Sequence, residues 1–150
     1  MSTKIKKRLF ANTGTAAIEF GLIAPFLLIL LAGTVEIGFS IWQAMQVQAA
    51  AEAGAGYAIK HGWNASAISA AVVSATAATN ITASPAPFEF CGCPATSGVT
   101  TVVCTTTCTG GLVPSVYVKV GASMPHSVIL SDLGLPIPAT LTASATVRLQ

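Results

Sequence analysis

The sequence predicts an α+β protein in which a long N-terminal transmembrane helix precedes a small antiparallel β-sheet domain. The 150-residue chain is 53% hydrophobic and 8% charged, whereas about 25% of residues are charged in a soluble globular protein. The apolar excess lies in the first third of the chain, and helix formers give way to Val, Thr, Pro and Gly from Pro85 onward. The length suits one ordinary domain, and the composition argues against a fully soluble cytosolic protein.

The net charge of +2 is unevenly distributed. Residues 1–14 contain four cations and no acid, whereas residues 15–150 contain three cations and five acids. A nucleic-acid-binding surface requires clustered Lys and Arg on the folded body. We therefore expect no nucleic-acid partner, and we interpret the basic terminus as the flank of a membrane segment.

A membrane-spanning helix is predicted from the apolar run that follows the basic terminus. From Ala16 to Val35 the only charged residue is Glu19. At about 1.5 Å per residue this stretch covers about 30 Å, the thickness of one hydrocarbon core. Because the next cation is Lys60, the positive-inside rule predicts a single pass with the N-terminus in the cytoplasm and the remainder outside, in contact with membrane lipid. A cleaved secretory signal is the alternative, but its apolar region is usually shorter.

The helix is expected to continue well beyond the membrane. Residues 43–60 are rich in Ala and Gln, which favour helix, so one helix is predicted over about residues 15–60. Pro25 predicts a mild kink. Gly54 and Gly56 lower the helix propensity, but small residues also allow a close approach of another helix.

A glycine-to-glutamate junction stands where the basic terminus meets the apolar run. It reads Gly14-Thr15-Ala16-Ala17-Ile18-Glu19-Phe20. A carboxylate beside an apolar run costs free energy, so it usually has a partner or a function. The alternative is that the Glu19 side chain reaches the cytoplasmic interface and has no further role.

This junction resembles that of the type IV-like prepilins, specifically the Flp (tight adherence) class. In that class a prepilin peptidase cuts after the glycine. The resemblance implies that residues 1–14 are a basic leader, that Gly14 and Thr15 flank the cut, and that Glu19 and Phe20 form the pilin-type pair. Glu19 would then neutralise the new α-amino group of a neighbouring subunit, because a paired charge is tolerated in a low-dielectric bundle.

Within that class the chain resembles the TadE-like family. The resemblance is strong over about residues 14–58 and weak over residues 114–150. The residues that match the family's spacing after the junction are Pro25, Gly33, Glu36 and Gly38. The family implies a minor pseudopilin that assists assembly of a Flp-type pilus by helix packing in the inner membrane, with a periplasmic C-terminal domain. It implies a prepilin peptidase, other pseudopilins and the inner-membrane pilus platform as partners. Gly56 stands where the family usually has arginine, so the role of that arginine is not carried over.

Glu36 is a second acid in the long helix. It follows Glu19 by 17 residues, which places the two side chains about 100° apart around the helix. They are therefore not expected to form one carboxylate pair. We interpret Glu36 either as a residue of the outer membrane interface or as a contact with the helix of a partner subunit.

Four segments are predicted: the leader (1–14), the TadE-like transmembrane and extended helix (15–62), a short helix and linker (63–84), and a β-rich domain with a cysteine loop (85–150). Gly62 is a natural C-cap and Asn64 a plausible N-cap. The short helix is expected over residues 65–79, and its inward side chains are predicted to be Ile68, Val72 and Val73.

Strands are predicted at residues 99–104, 113–120 and 140–149. The last alternates apolar and polar residues with a period of two, the pattern of a half-buried strand. A loop or crossover is expected over residues 125–138.

Four cysteines form two clusters, Cys91 with Cys93 and Cys104 with Cys108. Outside the cytoplasm they should be oxidised. Two bridges between the clusters are favoured over the third pairing scheme, and each would close a loop of about 15 residues, worth roughly 3 kcal/mol. Which cysteine pairs with which is left open. A four-cysteine zinc site is the less favoured alternative because the spacing is not that of a standard zinc ribbon.

We expect neither enzymatic activity nor a cofactor. Ser123, His126 and Asp132 are close in sequence but lie in a Pro-rich region without a nucleophile elbow, and the sequence contains no phosphate-binding loop. The alternative function is a single-span envelope binding protein, unrelated to pili, whose disulfide-bonded extracytoplasmic domain captures a ligand. A secreted protein with an ordinary signal peptide is a third possibility.

Overall fold

The computed structural model describes residues 13–126 and 138–149. Its elements in chain order are α1 (Thr13–His61), α2 (Ala65–Ser74), β1 (Phe88–Ala95), β2 (Gly98–Thr101), β3 (Ser115–Pro125) and β4 (Thr140–Arg148). A long apolar helix followed by a small antiparallel sheet is the predicted α+β class. The described residues fall into two compact units, 13–39 and 40–126 with 138–149.

In the first unit the apolar side chains of α1 are exposed. The exposed fraction of Phe20 is 68%, and no residue is buried in the most apolar 18-residue window of the helix. By length and composition α1 is therefore able to cross a membrane, as predicted. Pro25 lies inside the helix, as expected.

In the second unit, α1 contributes one face to the hydrophobic core. Its buried residues recur every three or four positions, which places them on a single face of the helix. The core consists of Val47, Ala50, Ala51, Ala55 and Ala58 of α1, Ile68 and Val72 of α2, Ile81, Val118, Val120, Ala122 and Met124 of β3, and Leu141 of β4. Small side chains on α1 thus let its backbone approach α2 and the sheet closely.

The junction between the two helices has the predicted caps. Gly62 has a φ of 75°, and its N–H donates to the carbonyl of Ala58 at 2.9 Å, as expected of a C-cap glycine. Asn64 caps α2 by accepting a hydrogen bond from the backbone N–H of Ala67 at 3.0 Å. The prediction that Val73 points inward is wrong, because its exposed fraction is 48%. Residues 68 and 72 share a helix face, whereas residue 73 is rotated about 100° from it.

The sheet has the order β2-β1-β3-β4, and every neighbouring pair is antiparallel. Ala95 pairs with Gly98, so a two-residue turn closes the β1–β2 hairpin. The strand β1 is not among the three predicted strand ranges, β2 ends at Thr101 rather than at residue 104, and β3 is shifted to Ser115–Pro125. The alternation predicted for β4 is confirmed, because its residues are alternately exposed and buried or half-buried. Most of the predicted 125–138 loop lies outside the described residues.

Candidate functional site

The predicted processing junction lies in the first turns of α1. Gly14, Thr15, Glu19 and Phe20 are all exposed, and the apolar helix surface begins here. The predicted leader, apart from Gly14 and the residue before it, lies outside the described residues. Cleavage after Gly14 and the pairing of Glu19 with a neighbouring amino group stay predictions.

The two carboxylates of the apolar helix have different environments. Glu19 is exposed, whereas only 1% of Glu36 is exposed. The Glu36 side chain is therefore buried within the chain. Its two interpretations, a residue of the outer membrane interface and a contact with the helix of a partner subunit, both stay predictions.

The two glycines near the C-terminal end of α1 have different surroundings. A Cβ atom on Gly54 would lie 2.5 Å from Val72 Cγ2 and 2.8 Å from Val120 Cγ1. On Gly56 it would have no neighbouring atom within 4 Å. Gly54 thus permits the close approach of α1 to its neighbours, while the position of the family's arginine has room for a side chain.

A polar contact that the sequence analysis missed joins α1 to the end of β3. The Nδ1 atom of His126 is hydrogen-bonded to Oε1 of Gln43, across 83 residues of sequence. His126 is 5% exposed, and Gln43 is half-buried four residues before the core residue Val47. The one sequence signal for this contact is a glutamine on the same face of α1 as the buried Ala-rich residues.

The candidate catalytic residues are not brought together as a set in the described part of the chain. The hydroxyl group of Ser123 is hydrogen-bonded to that of Thr82 at 3.0 Å. The Nδ1 atom of His126 is instead bonded to Gln43. Asp132 lies outside the described residues.

The cysteine clusters are joined by two disulfides, Cys91–Cys104 and Cys93–Cys108. This is the favoured arrangement of two bridges between the clusters, and it settles which cysteine pairs with which. All four sulfur atoms are in disulfides, so no cysteine thiolate is left to bind zinc in this structure. The cysteine loop between β2 and β3 (residues 102–114), which the disulfides attach to β1, carries exposed apolar side chains, including Val113 with an exposed fraction of 80%.

The described residues combine one candidate membrane helix with a disulfide-bonded antiparallel sheet, an arrangement that fits the class of single-pass membrane proteins. Within that class, residues 14–56 match the family model described as TadE-like protein. The match confirms the resemblance over this segment and associates it with Tad/Flp pili in general. It begins at the junction glycine, and the sheet and the cysteine loop lie beyond it. No curated protein and no solved structure matches the chain.

Proposed function

We propose that this protein is a TadE-like minor pseudopilin that assists the assembly of a Flp-type (tight adherence) pilus. The observation that carries the proposal is the family match over residues 14–56, a segment that includes the exposed apolar side chains of α1. The role is structural: helices pack against helices in the inner membrane, and no chemistry is required of the β domain.

The proposed orientation places the N-terminus in the cytoplasm and the β domain in the periplasm. The basic residues that precede α1 support it through the positive-inside rule. Two disulfides in the β domain support it independently, because disulfides persist in oxidising compartments.

The proposed processing step is cleavage by a prepilin peptidase between Gly14 and Thr15. Cleavage creates an α-amino group at Thr15, at the start of an apolar helix. An unpaired ammonium or carboxylate is costly in such surroundings, whereas a pair is tolerated. Glu19 is exposed, which leaves its carboxylate accessible to the amino group of a neighbouring subunit.

The proposed partners are other pseudopilins and the inner-membrane pilus platform. The surface that supports this proposal is the exposed apolar face of α1, which includes Leu22, Phe26 and Leu30. In a membrane such a surface contacts lipid or another helix, and close helix packing is driven by van der Waals contact and by small residues.

The first test is the N-terminal sequence and intact mass of the protein isolated from its native membrane. Processing predicts a chain that begins at Thr15. A chain that begins at Met1 or Ser2 would contradict the processing step and would favour a signal-anchored envelope protein.

The second test separates processing from assembly. Glu19→Ala should be processed nearly normally but should support few pili in a strain that lacks the parent protein, because the neighbouring amino group loses its counter-charge. Glu52→Ala is the matched control, since Glu52 is an exposed acid of the same helix and accepts a hydrogen bond from Gln48. Normal piliation with Glu19→Ala would show that the pairing role is wrong. Normal piliation without the protein would favour the envelope binding protein instead.

A further inference from the structure

The four-stranded sheet has two outer edges that no segment covers by strand pairing in the described part of the chain. One edge is β4, which has nine residues, no proline and a single charge at Arg148. The other is β2, which has four residues and neither a charge nor a proline. Natural proteins usually protect such edges with charges, prolines or bulges, because an open edge is a template for another strand.

The backbone groups that β4 directs outward follow from two hydrogen bonds. The N–H of Leu149 donates to Val116 at 3.0 Å, and the N–H of His126 donates to Ala139 at 2.8 Å. In an antiparallel ladder every second residue of a strand bonds to the same neighbouring strand. The odd-numbered residues of β4 therefore direct their backbone N–H and C=O groups toward β3. The even-numbered residues direct their N–H and C=O groups outward, and all of them are exposed: Thr140, Thr142, Ser144, Thr146 and Arg148.

The same argument applies to β2. The N–H of Val102 donates to Cys91 at 2.9 Å, so residues 98 and 100 also face β1. Val99 and Thr101 therefore direct their backbone groups outward. The disulfides bond the following loop to β1 through Cys91 and Cys93.

The strand directions make the two edges complementary. With every pair antiparallel in the order β2-β1-β3-β4, β2 and β4 run in opposite directions. When two copies stand side by side in the same orientation, β4 of one copy is therefore antiparallel to β2 of the next. The junction would continue the pairing pattern of the sheet.

A symmetric pairing of two β4 edges fits less well. It requires a two-fold axis perpendicular to the sheet, which reverses every direction that lies in the sheet plane. Such a pair also leaves the β2 edge of both copies uncovered, whereas a contact between β4 and β2 uses one edge of each kind.

We propose that the β4 edge binds the β2 edge of a second, equally oriented copy of this chain. The contact is head-to-tail, so it leaves a free β2 and a free β4 at the two ends and is open to further copies. Two residues of β2, Val99 and Thr101, direct backbone groups outward, so the contact contains few hydrogen bonds and is weak between free molecules. Confinement to one membrane raises the effective concentration of the second edge. The proposal requires a shared membrane orientation and does not require a pilus.

The direct test is photocrosslinking of the full-length chain in its native membrane. A benzophenone amino acid replaces Ser144, and the crosslinked peptides are identified by mass spectrometry. The expected product is a dimer in which the probe is attached to residues 98–101 of another copy. The control carries the probe at Thr107, which is exposed in the cysteine loop, and should not mark that segment. Attachment to β4 of another copy, attachment to a different protein, or no product would each overturn the proposal.

Two substitutions at Ser144 test the backbone contact with a probe placed at Thr100. Ser144→Pro removes an outward N–H group that makes no hydrogen bond to β3. Natural edge strands tolerate proline at such positions because the missing N–H faces away from the sheet. Crosslinking should fall by about tenfold, the effect of losing one or two hydrogen bonds, whereas Ser144→Ala should leave it unchanged. Ser144→Lys retains the backbone and adds an edge charge, so it should lower crosslinking even if the proline variant is poorly folded. Undiminished crosslinking in Ser144→Lys would overturn the proposal. All these measurements are independent of piliation. The edge contact can therefore be disproved while the proposed pilus function stands, and the pilus function can be disproved while the edge contact stands.

Discussion

Gly54 lies against Val120 so closely that a Cβ atom on the glycine would be 2.8 Å from Val120 Cγ1. The same atom would be 2.5 Å from Val72 Cγ2, so the missing side chain leaves space that α2 and β3 both occupy. Two residues later in the same helix, Gly56 has open space around it. The two glycines therefore differ in what they do, although their helix propensities are equal.

We expect Gly54→Ala and Gly56→Ala to change stability in opposite directions. Both replacements gain up to about 1 kcal/mol of helix propensity. At Gly54 the added methyl group overpacks the core against Val72 and Val120, which typically costs about 1–3 kcal/mol, and we expect this cost to exceed the gain. Chemical denaturation of the detergent-solubilised chain should show a lower midpoint for Gly54→Ala and a higher one for Gly56→Ala. Equal shifts in the same direction would contradict the close contact.

Gly56→Arg introduces the residue that the TadE-like family usually has at this position. The open space around Gly56 accommodates a long side chain, and arginine is a better helix former than glycine by somewhat less than 1 kcal/mol. We expect the variant to be at least as stable as the parent, measured by the same denaturation. A marked loss of stability would show that this position is closely packed.

The hydrogen bond between Gln43 and His126 is expected to stabilise the fold. Gln43→Ala removes the acceptor of a buried histidine nitrogen, and the loss of such a partner costs about 1–3 kcal/mol. Gln48→Ala is the matched control, because Gln48 donates to Glu52 at 2.8 Å on the exposed face of the same helix. A surface pair of this kind contributes at most about 0.5 kcal/mol. Similar unfolding midpoints for the two variants would contradict the structural role of the Gln43 bond.

Removal of one disulfide should destabilise the β domain without changing α1. The double replacement Cys93→Ala with Cys108→Ala removes the bridge between residues 15 apart in sequence. Because the Cys91–Cys104 bridge still crosslinks the same segment, the second bridge closes only a short additional loop, and its loss is expected to cost about 2 kcal/mol in the chain-entropy model. Limited proteolysis followed by mass spectrometry should show faster cleavage within residues 94–107, while the far-ultraviolet helix signal stays constant. Unchanged proteolysis would mean that the remaining bridge and β1–β2 pairing hold the loop by themselves.

The helical part of the fold was predictable because its signals are local. The charge-free run, the Ala-rich continuation, Gly62 and Asn64 each act within a few residues, and they predict both helices and the caps between them. The predicted end of the short helix is wrong, because α2 ends at Ser74 and not at residue 79. The inward prediction for Val73 failed because a short stretch of Ala, Ile and Val is apolar on every face, so its sequence does not say which face is buried.

The sheet was less predictable because its strands contain residues that usually end strands. Gly92 and Pro94 lie inside β1, and Gly121 lies inside β3, where a Cβ atom would be 2.7 Å from the backbone nitrogen of Pro85. Close backbone approach of this kind depends on distant segments. The same is true of the Gln43–His126 contact and of the choice of disulfide partners, which local patterns do not encode.

The two disulfides also determine how the β domain carries mechanical tension. A pulling force that enters at Cys91 passes along the chain to Cys93 and crosses directly to Cys108 through the sulfur atoms. The 15 residues of sequence separation that this bridge spans would otherwise extend by about 50 Å. Under load the oxidised domain therefore does not extend by this length. The segment between Cys93 and Cys108 carries little force, and the strands on either side of it carry the load.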